Sequence, residues 1–108
     1  MVGFTVDLSS RAHSVSGTAR VVDDCTIEIS NFSYDGGGLA DVFVYGGVGG
    51  NYFSNGFAIG DNLFGRSFNN QTLTISLADE SVLDRFNGIS IWCVRASISF
   101  GDGIFHNP

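Results

Sequence analysis

The chain has no lysine, one proline, one tryptophan, one methionine and two histidines among its 108 residues. Its longest apolar runs are only a few residues, far below the roughly 20 that a spanning helix needs, so direct membrane insertion of this segment is excluded. Five arginines face eleven acids, giving a net charge of -6. Such a surface repels phosphate backbones and anionic lipid heads, which argues against nucleic-acid and peripheral membrane partners. No signal-peptide pattern precedes the first strand-like run, so the expectation is an excised module that starts at Met1. The histidines, His13 and His106, have no i, i+4 or Cys-x-x-Cys company, and a zinc site is unsupported. There is no G-x-S-x-G, and GGVGGN neither matches a P-loop nor opens a helix, which sets hydrolase chemistry aside.

What is present is apolar and glycine-rich: 44% hydrophobic residues, 15% charged, fifteen Gly and ten Phe. That balance describes a folded chain with tight turns rather than a disordered one. At 11.5 kDa it is expected to form a single domain over residues 1–108 with one core. Period-2 alternation dominates. Phe4, Val6 and Leu8 share a face, as do Val15, Gly17, Ala19 and Val21, then Cys25, Ile27 and Ile29, and later Leu73, Ile75 and Leu77. DVFVY is apolar on both faces and reads as a central strand, or one whose outer face a partner covers. Residues 46–65 read as one long loop holding a short strand near residues 56–59. ADESVLDRF admits one helical turn capped by Asp79 or Ser81. The fold class is therefore all-β, an antiparallel β-sandwich or small barrel of about seven or eight short strands.

GISIWCVRASISF, residues 88–100, raises the main chemical question. Ile89, Ile91 and Cys93 lie on one face and Trp92 on the other, whereas Ala96, Ile98 and Phe100 form the next apolar set. A bulge or sharp bend near Val94 and Arg95 accounts for the change of register. Cys25 and Cys93 both fall on inward faces, so a Cys25–Cys93 disulfide is the first structural reading. It would close a loop of roughly 70 residues, a constraint on the order of 4 kcal/mol. Two buried free thiols, or a redox-active Cys93 beside Trp92 and Arg95, stay open. Asn31-Phe32-Ser33 and Asn70-Gln71-Thr72 are glycosylation sequons, and with two cysteines they point to an oxidising, extracellular or lumenal setting. Asp35, Asp41, Asp61 and Asp102 stand in Gly-rich turns and are weak calcium candidates, since none fits an EF-hand spacing. Tyr45, Tyr52 and Phe53 are candidate exposed aromatics for a binding surface.

AHSVSGTARVVDDCTIEISNFSYDGGGLADVFVY, then LTISL, then ISIWCVRASISFGDGIF, together resemble the DM-thirteen domain over roughly residues 12–105. The more specific elements are His13 with Val15-Ser16-Gly17, the run Asn31 to Gly36, Trp92-Cys93, and Ser99-Phe100-Gly101. The resemblance implies an extracellular β-sandwich-like module found beside DOMON and b-type cytochrome domains and proposed to transfer electrons. It also implies that Cys93 is a redox candidate, as a thiol or as a cofactor ligand, with haem the cofactor in view. Two departures stand out: Leu39-Ala40 replaces the Gly-Pro that many members carry, and Cys25 adds a second thiol. The expected function is an accessory redox module of a larger protein centred on Cys93. The alternative is a non-redox binding module for a partner domain, a glycan or the cell wall, stapled by a Cys25–Cys93 disulfide.

Overall fold

A computed structural model describes all residues from Met1 to Pro108. Eight strands form in order: β1 (Thr5–Asp7), β2 (Ser16–Asp23), β3 (Thr26–Tyr34), β4 (Val42–Gly47), β5 (Phe57–Asn62), β6 (Phe68–Ser76), β7 (Gly88–Cys93) and β8 (Ile98–Ile104). One 3₁₀ turn, η1 (Glu80–Arg85), precedes β7, and Asp79 caps it by accepting from the Ser81 N–H. Two four-stranded antiparallel sheets result, ordered β1-β2-β3-β6 and β5-β4-β7-β8. This is a sandwich with no closed barrel.

The alternation read from the sequence sets the packing. Val15, Ala19, Val21, Ile27, Ile29, Val42, Val44, Ile89 and Ile91 are fully buried and belong to one 21-residue apolar cluster between the sheets. A half-buried face on each sheet is what period-2 strands supply, and the shared core is what holds the sheets together. Backbone hydrogen bonds close one side of the sandwich, where Ser9 N–H reaches the Asp102 carbonyl at 2.9 Å and the Arg11 N–H reaches the Phe100 carbonyl at 2.9 Å. The opposite side, between the outer strands β5 and β6, stays open as a groove.

Two local expectations need correction. Residues 94–97 form a turn, not a bend within one strand; β7 and β8 are a hairpin with Cys93 opposite Ile98. Ala96 and Ile98 are consequently exposed rather than inward. The bulge lies further on, where Ile91 pairs with Gly101 but Trp92 with Ser99, leaving Phe100 as the extra residue. That extra residue turns Phe100 into the core, 1% exposed. Within residues 46–65 the strands also extend further than the composition suggests, β4 running to Gly47 and β5 to Asn62.

Candidate functional site around Cys93

All six residues of β7 are buried, because the strand is paired on both edges and covered on both faces. On its inner face, Cys93 is wholly inaccessible and its Sγ donates to the Leu39 carbonyl at 3.3 Å. Leu39 belongs to residues 35–41, the segment that leaves β3 and enters β4, so this loop lies over the thiol. Several contacts fasten it. Tyr34 Oη donates to the Gly37 carbonyl, the Gly37 N–H donates to Asp35 Oδ1 at 2.7 Å, and the Gly65 N–H donates to the Gly36 carbonyl at 3.0 Å. Asp35 also meets His13 Nδ1 at 3.1 Å, and the His13 ring sits 4.4 Å from that of Phe100.

Glycine is required within this loop. Gly38 has φ +102, and a Cβ there would lie 2.6 Å from the Phe100 ring, an approach no other residue tolerates. The phenol of Tyr34 is pushed up to about 12, first by burial and then by the neighbouring Asp35 and Cys93. It therefore stays protonated at neutral pH and keeps its role as a donor to the loop.

On the outer face of β7, Trp92 is 8% exposed. Its ring stacks on Tyr45 at 5.9 Å with an interplanar angle of 23° and lies 6.1 Å from Tyr52. Tyr52 donates to the Ile89 carbonyl at 2.9 Å, and burial raises its phenol further than that of Tyr34. The long glycine-rich connection thus folds back over the tryptophan. Tyr52 is buried rather than exposed, which removes it from any binding surface; Phe53 beside it is 75% exposed.

The Cys25–Cys93 disulfide expectation is corrected: both cysteines are free. Alternation placed each sulfur on an inward side but carried no information on position along the sandwich. Cys25 sits in the β2–β3 turn, immediately before β3, with its N–H donating to Asp23 Oδ1 at 2.9 Å. Cys93 lies beneath the loop that leaves the other end of β3. The extended strand between them spans roughly 25 Å, whereas a disulfide needs Cα atoms within about 7 Å. The Cys25 thiol is raised above its ordinary value by its hydrogen bond to Asp24, with desolvation and the neighbouring acids adding to this.

The remaining candidates disperse. Asp35 pairs with His13, Asp102 with Arg11 at 3.1 Å, and Asp41 accepts from Asn62 at 2.9 Å. With Asp61 they form no group of three metal-ligating side chains. Asn31 and Asn70 are exposed, with φ of +52 and +56, on the neighbouring strands β3 and β6. The lining of the inter-sheet groove does not fit a haem. The inter-sheet groove, about 570 Å³, is lined by no His, Cys, Met or Tyr, the side chains that ligate haem iron. Cys93, His13 and His106 all lie outside it.

Sequence reasoning singled out His13, the run Asn31 to Gly36 and Phe100 as elements of the resemblance but did not bring them together with the following loop over Cys93. Its available signal was the Asp35-Gly-Gly-Gly run, since three successive glycines permit a tight approach to other groups.

Against known proteins, the family model described as "Electron transfer DM13" matches residues 7–104. A cytochrome b561, DM13 and DOMON domain-containing protein of Arabidopsis thaliana is 24% identical over 110 residues, 99% of this chain and 12% of that protein. Protein Skeletor, isoforms B/C, of Drosophila melanogaster is 32% identical over 95 residues, 83% of this chain and 12% of that protein. For isoforms D/E the identity is the same and the share of that protein is 6%. The chain thus spans 12% or less of the length of these relatives. No solved structure matches.

Proposed function

Since the chain belongs to the DM13 electron-transfer family, we propose that it is an accessory redox module whose electron-carrying group is the solitary thiol of Cys93. The observation that carries this reading is the combination at β7: a fully buried, unbridged sulfur on one face and, one residue earlier, a tryptophan stacked on the half-buried Tyr45 on the other. With no second cysteine in reach, the chemistry is one-electron transfer rather than dithiol exchange. Oxidation removes one electron and one proton from the Cys93 thiol and leaves a thiyl radical. A strongly oxidising one-electron acceptor in a neighbouring domain, such as a high-potential haem, would take the electron by way of Trp92, and the proton leaves to solvent when residues 35–41 open. Reduction reverses both transfers.

The neighbours proposed are DOMON and b-type cytochrome domains of the same longer protein, by analogy with the Arabidopsis relative's name. An extracellular or lumenal location is supported by the sequons at Asn31 and Asn70, both of which are exposed.

Voltammetry of the 108-residue chain tests the assignment. A wave is expected that persists in Cys25→Ser, slows in Trp92→Phe and disappears in Cys93→Ser, with thermal melts confirming that each variant is folded. A wave retained in folded Cys93→Ser would refute the role of this thiol.

A further inference from the structure

The open side of the sandwich is a second place built to hold something. Between β5 and β6 runs a groove of about 570 Å³, two-thirds of whose fifteen lining residues are hydrophobic, among them Phe57, Ile59, Leu63, Leu73, Ile75 and Val82. That volume falls within the range of small-molecule sites, which are mostly apolar with a few polar groups fixing orientation.

Gly60 keeps the groove open. β5 carries a register shift, with Tyr45 opposite Ala58 but Phe43 opposite Asn62, and this bulge turns Gly60 toward the interior. A Cβ at Gly60 would lie 3.3 Å from Val44 and 3.6 Å from Ile75, residues of opposite sheets. Its φ is not in the left-handed region, so the backbone does not demand glycine here. An isolated strand glycine of this kind marks close approach by another group.

The groove also carries opposite charges at its two ends. At one end, Arg85 of η1 places its guanidinium 4.1 Å over the Phe57 ring and forms no salt bridge. The cation–π contact holds the charge at the mouth. Asp79 feels the Arg85 charge, but its carboxylate is engaged by Ser81. At the other end, four residues along β5 and about 13 Å away, stands Asp61. A cation at one end and a carboxylate at the other select for a ligand with one anionic terminus.

We propose that this groove binds an unbranched apolar chain ending in a carboxylate, of the fatty-acid class, with the carboxylate on Arg85 and the tail along β5 and β6 toward Asp61. The carboxylate gains a charge-assisted, bidentate partner, the tail covers the half-buried side chains of Phe57, Ile59, Leu73 and Val82, and Asp61 repels the reversed orientation.

Amide-resolved NMR titration of the 108-residue chain with decanoate and with decan-1-ol separates the contributions. Decanoate is expected to shift resonances of Phe57, Ile59, Leu73 and Arg85, and Arg85→Gln to weaken it about tenfold, the factor for one charge-assisted hydrogen bond. Decanol binding should be unchanged by that substitution. Gly60→Leu should weaken both ligands by filling the groove; if that variant does not fold, the Arg85→Gln comparison decides alone. The proposal is overturned if decanoate binds Arg85→Gln as tightly as the wild type, if shifts fall elsewhere, if nothing binds at millimolar concentration, or if the groove is instead closed by a second copy of the chain in sedimentation experiments.

Discussion

Labelling of Cys93 by a thiol reagent under native conditions reports how the loop of residues 35–41 opens, and its rate follows from the contacts that hold the loop down. Lifting the centre of the loop, residues 36–39, while its ends stay tied at Asp35 and Asp41 breaks three hydrogen bonds to the surrounding structure: Cys93 to the Leu39 carbonyl, Tyr34 to the Gly37 carbonyl, and the Gly65 N–H to the Gly36 carbonyl. At a net contribution of about 1 kcal/mol each, opening costs about 3 kcal/mol, or roughly 100-fold protection relative to the unfolded chain. Reaching the sulfur by global unfolding would cost about 5 kcal/mol or more, some thousands-fold. The two routes differ in a second way. Local opening exposes little surface, so the labelling rate should stay flat in low urea, whereas global unfolding carries the full denaturant slope. Tyr34→Phe removes one of the three bonds and should speed Cys93 labelling about fivefold, the factor for about 1 kcal/mol. Stopped-flow mixing with a chromogenic disulfide, using a Cys25→Ser background to isolate the signal, gives both numbers. Protection equal to the global stability with a full urea slope would refute the loop as the gate, as would a Tyr34→Phe rate equal to the parent's.

Two further outcomes follow from the charges around the turns. Unfolded without reductant, the chain should release two titratable thiols; in the folded state Cys25 should react more slowly than an ordinary thiol at pH 8, because its hydrogen bond to Asp24 raises its ionisation, and Asp24→Asn should accelerate it. A count of zero would restore the disulfide. Asp79 is held below its ordinary value, chiefly by the Ser81 hydroxyl and then its N–H. A carboxylate depressed on folding contributes stability that is fully present above the ordinary Asp value near 3.9 and is lost as pH falls through the lower folded value. Asp79→Ala should therefore show a shallower loss of melting temperature below about pH 4 than the parent, and an unchanged acid limb would show that the cap does not stabilise η1.

Much of the fold was legible because alternation is a local property that packing then enforces. Val15 to Val21 and Cys25 to Ile29 were readable as inward sets before any partner strand was known, and most of those residues are fully buried. Asp79 as a cap for a short helical turn was readable for the same reason: its chemistry lies within two residues. The β7–β8 hairpin was not. Its turn, residues 94–97, contains no Gly, Pro, Asn or Asp, and Ser97 takes φ +54 where a glycine would have announced the reversal. The bulge that turns Phe100 inward lies where the alternation continued without interruption, so only the pairing of Trp92 with Ser99 reveals it.

The site was legible in identity but not in arrangement, and the difference bears on the chemistry. Period-2 counting placed Cys93 inward and Trp92 outward, as the structure has them, yet it treated inward as one place and joined Cys93 to Cys25. Strand pairing puts them at opposite ends of β3, so any two-electron disulfide chemistry at Cys93 would need a sulfur from another chain or domain. The contact that replaces the disulfide is a backbone carbonyl, Leu39, at 3.3 Å. A carbonyl accepts the thiol proton as a hydrogen bond but cannot take it up. Oxidation of the buried sulfur through Trp92 must therefore wait for a proton acceptor, which reaches it only when residues 35–41 open. That coupling makes the opening of residues 35–41 the slow partner in the proposed transfer. It also predicts that substitutions at Tyr34, which touch no part of the aromatic stack of Trp92, Tyr45 and Tyr52, alter the rate at which Cys93 is oxidised.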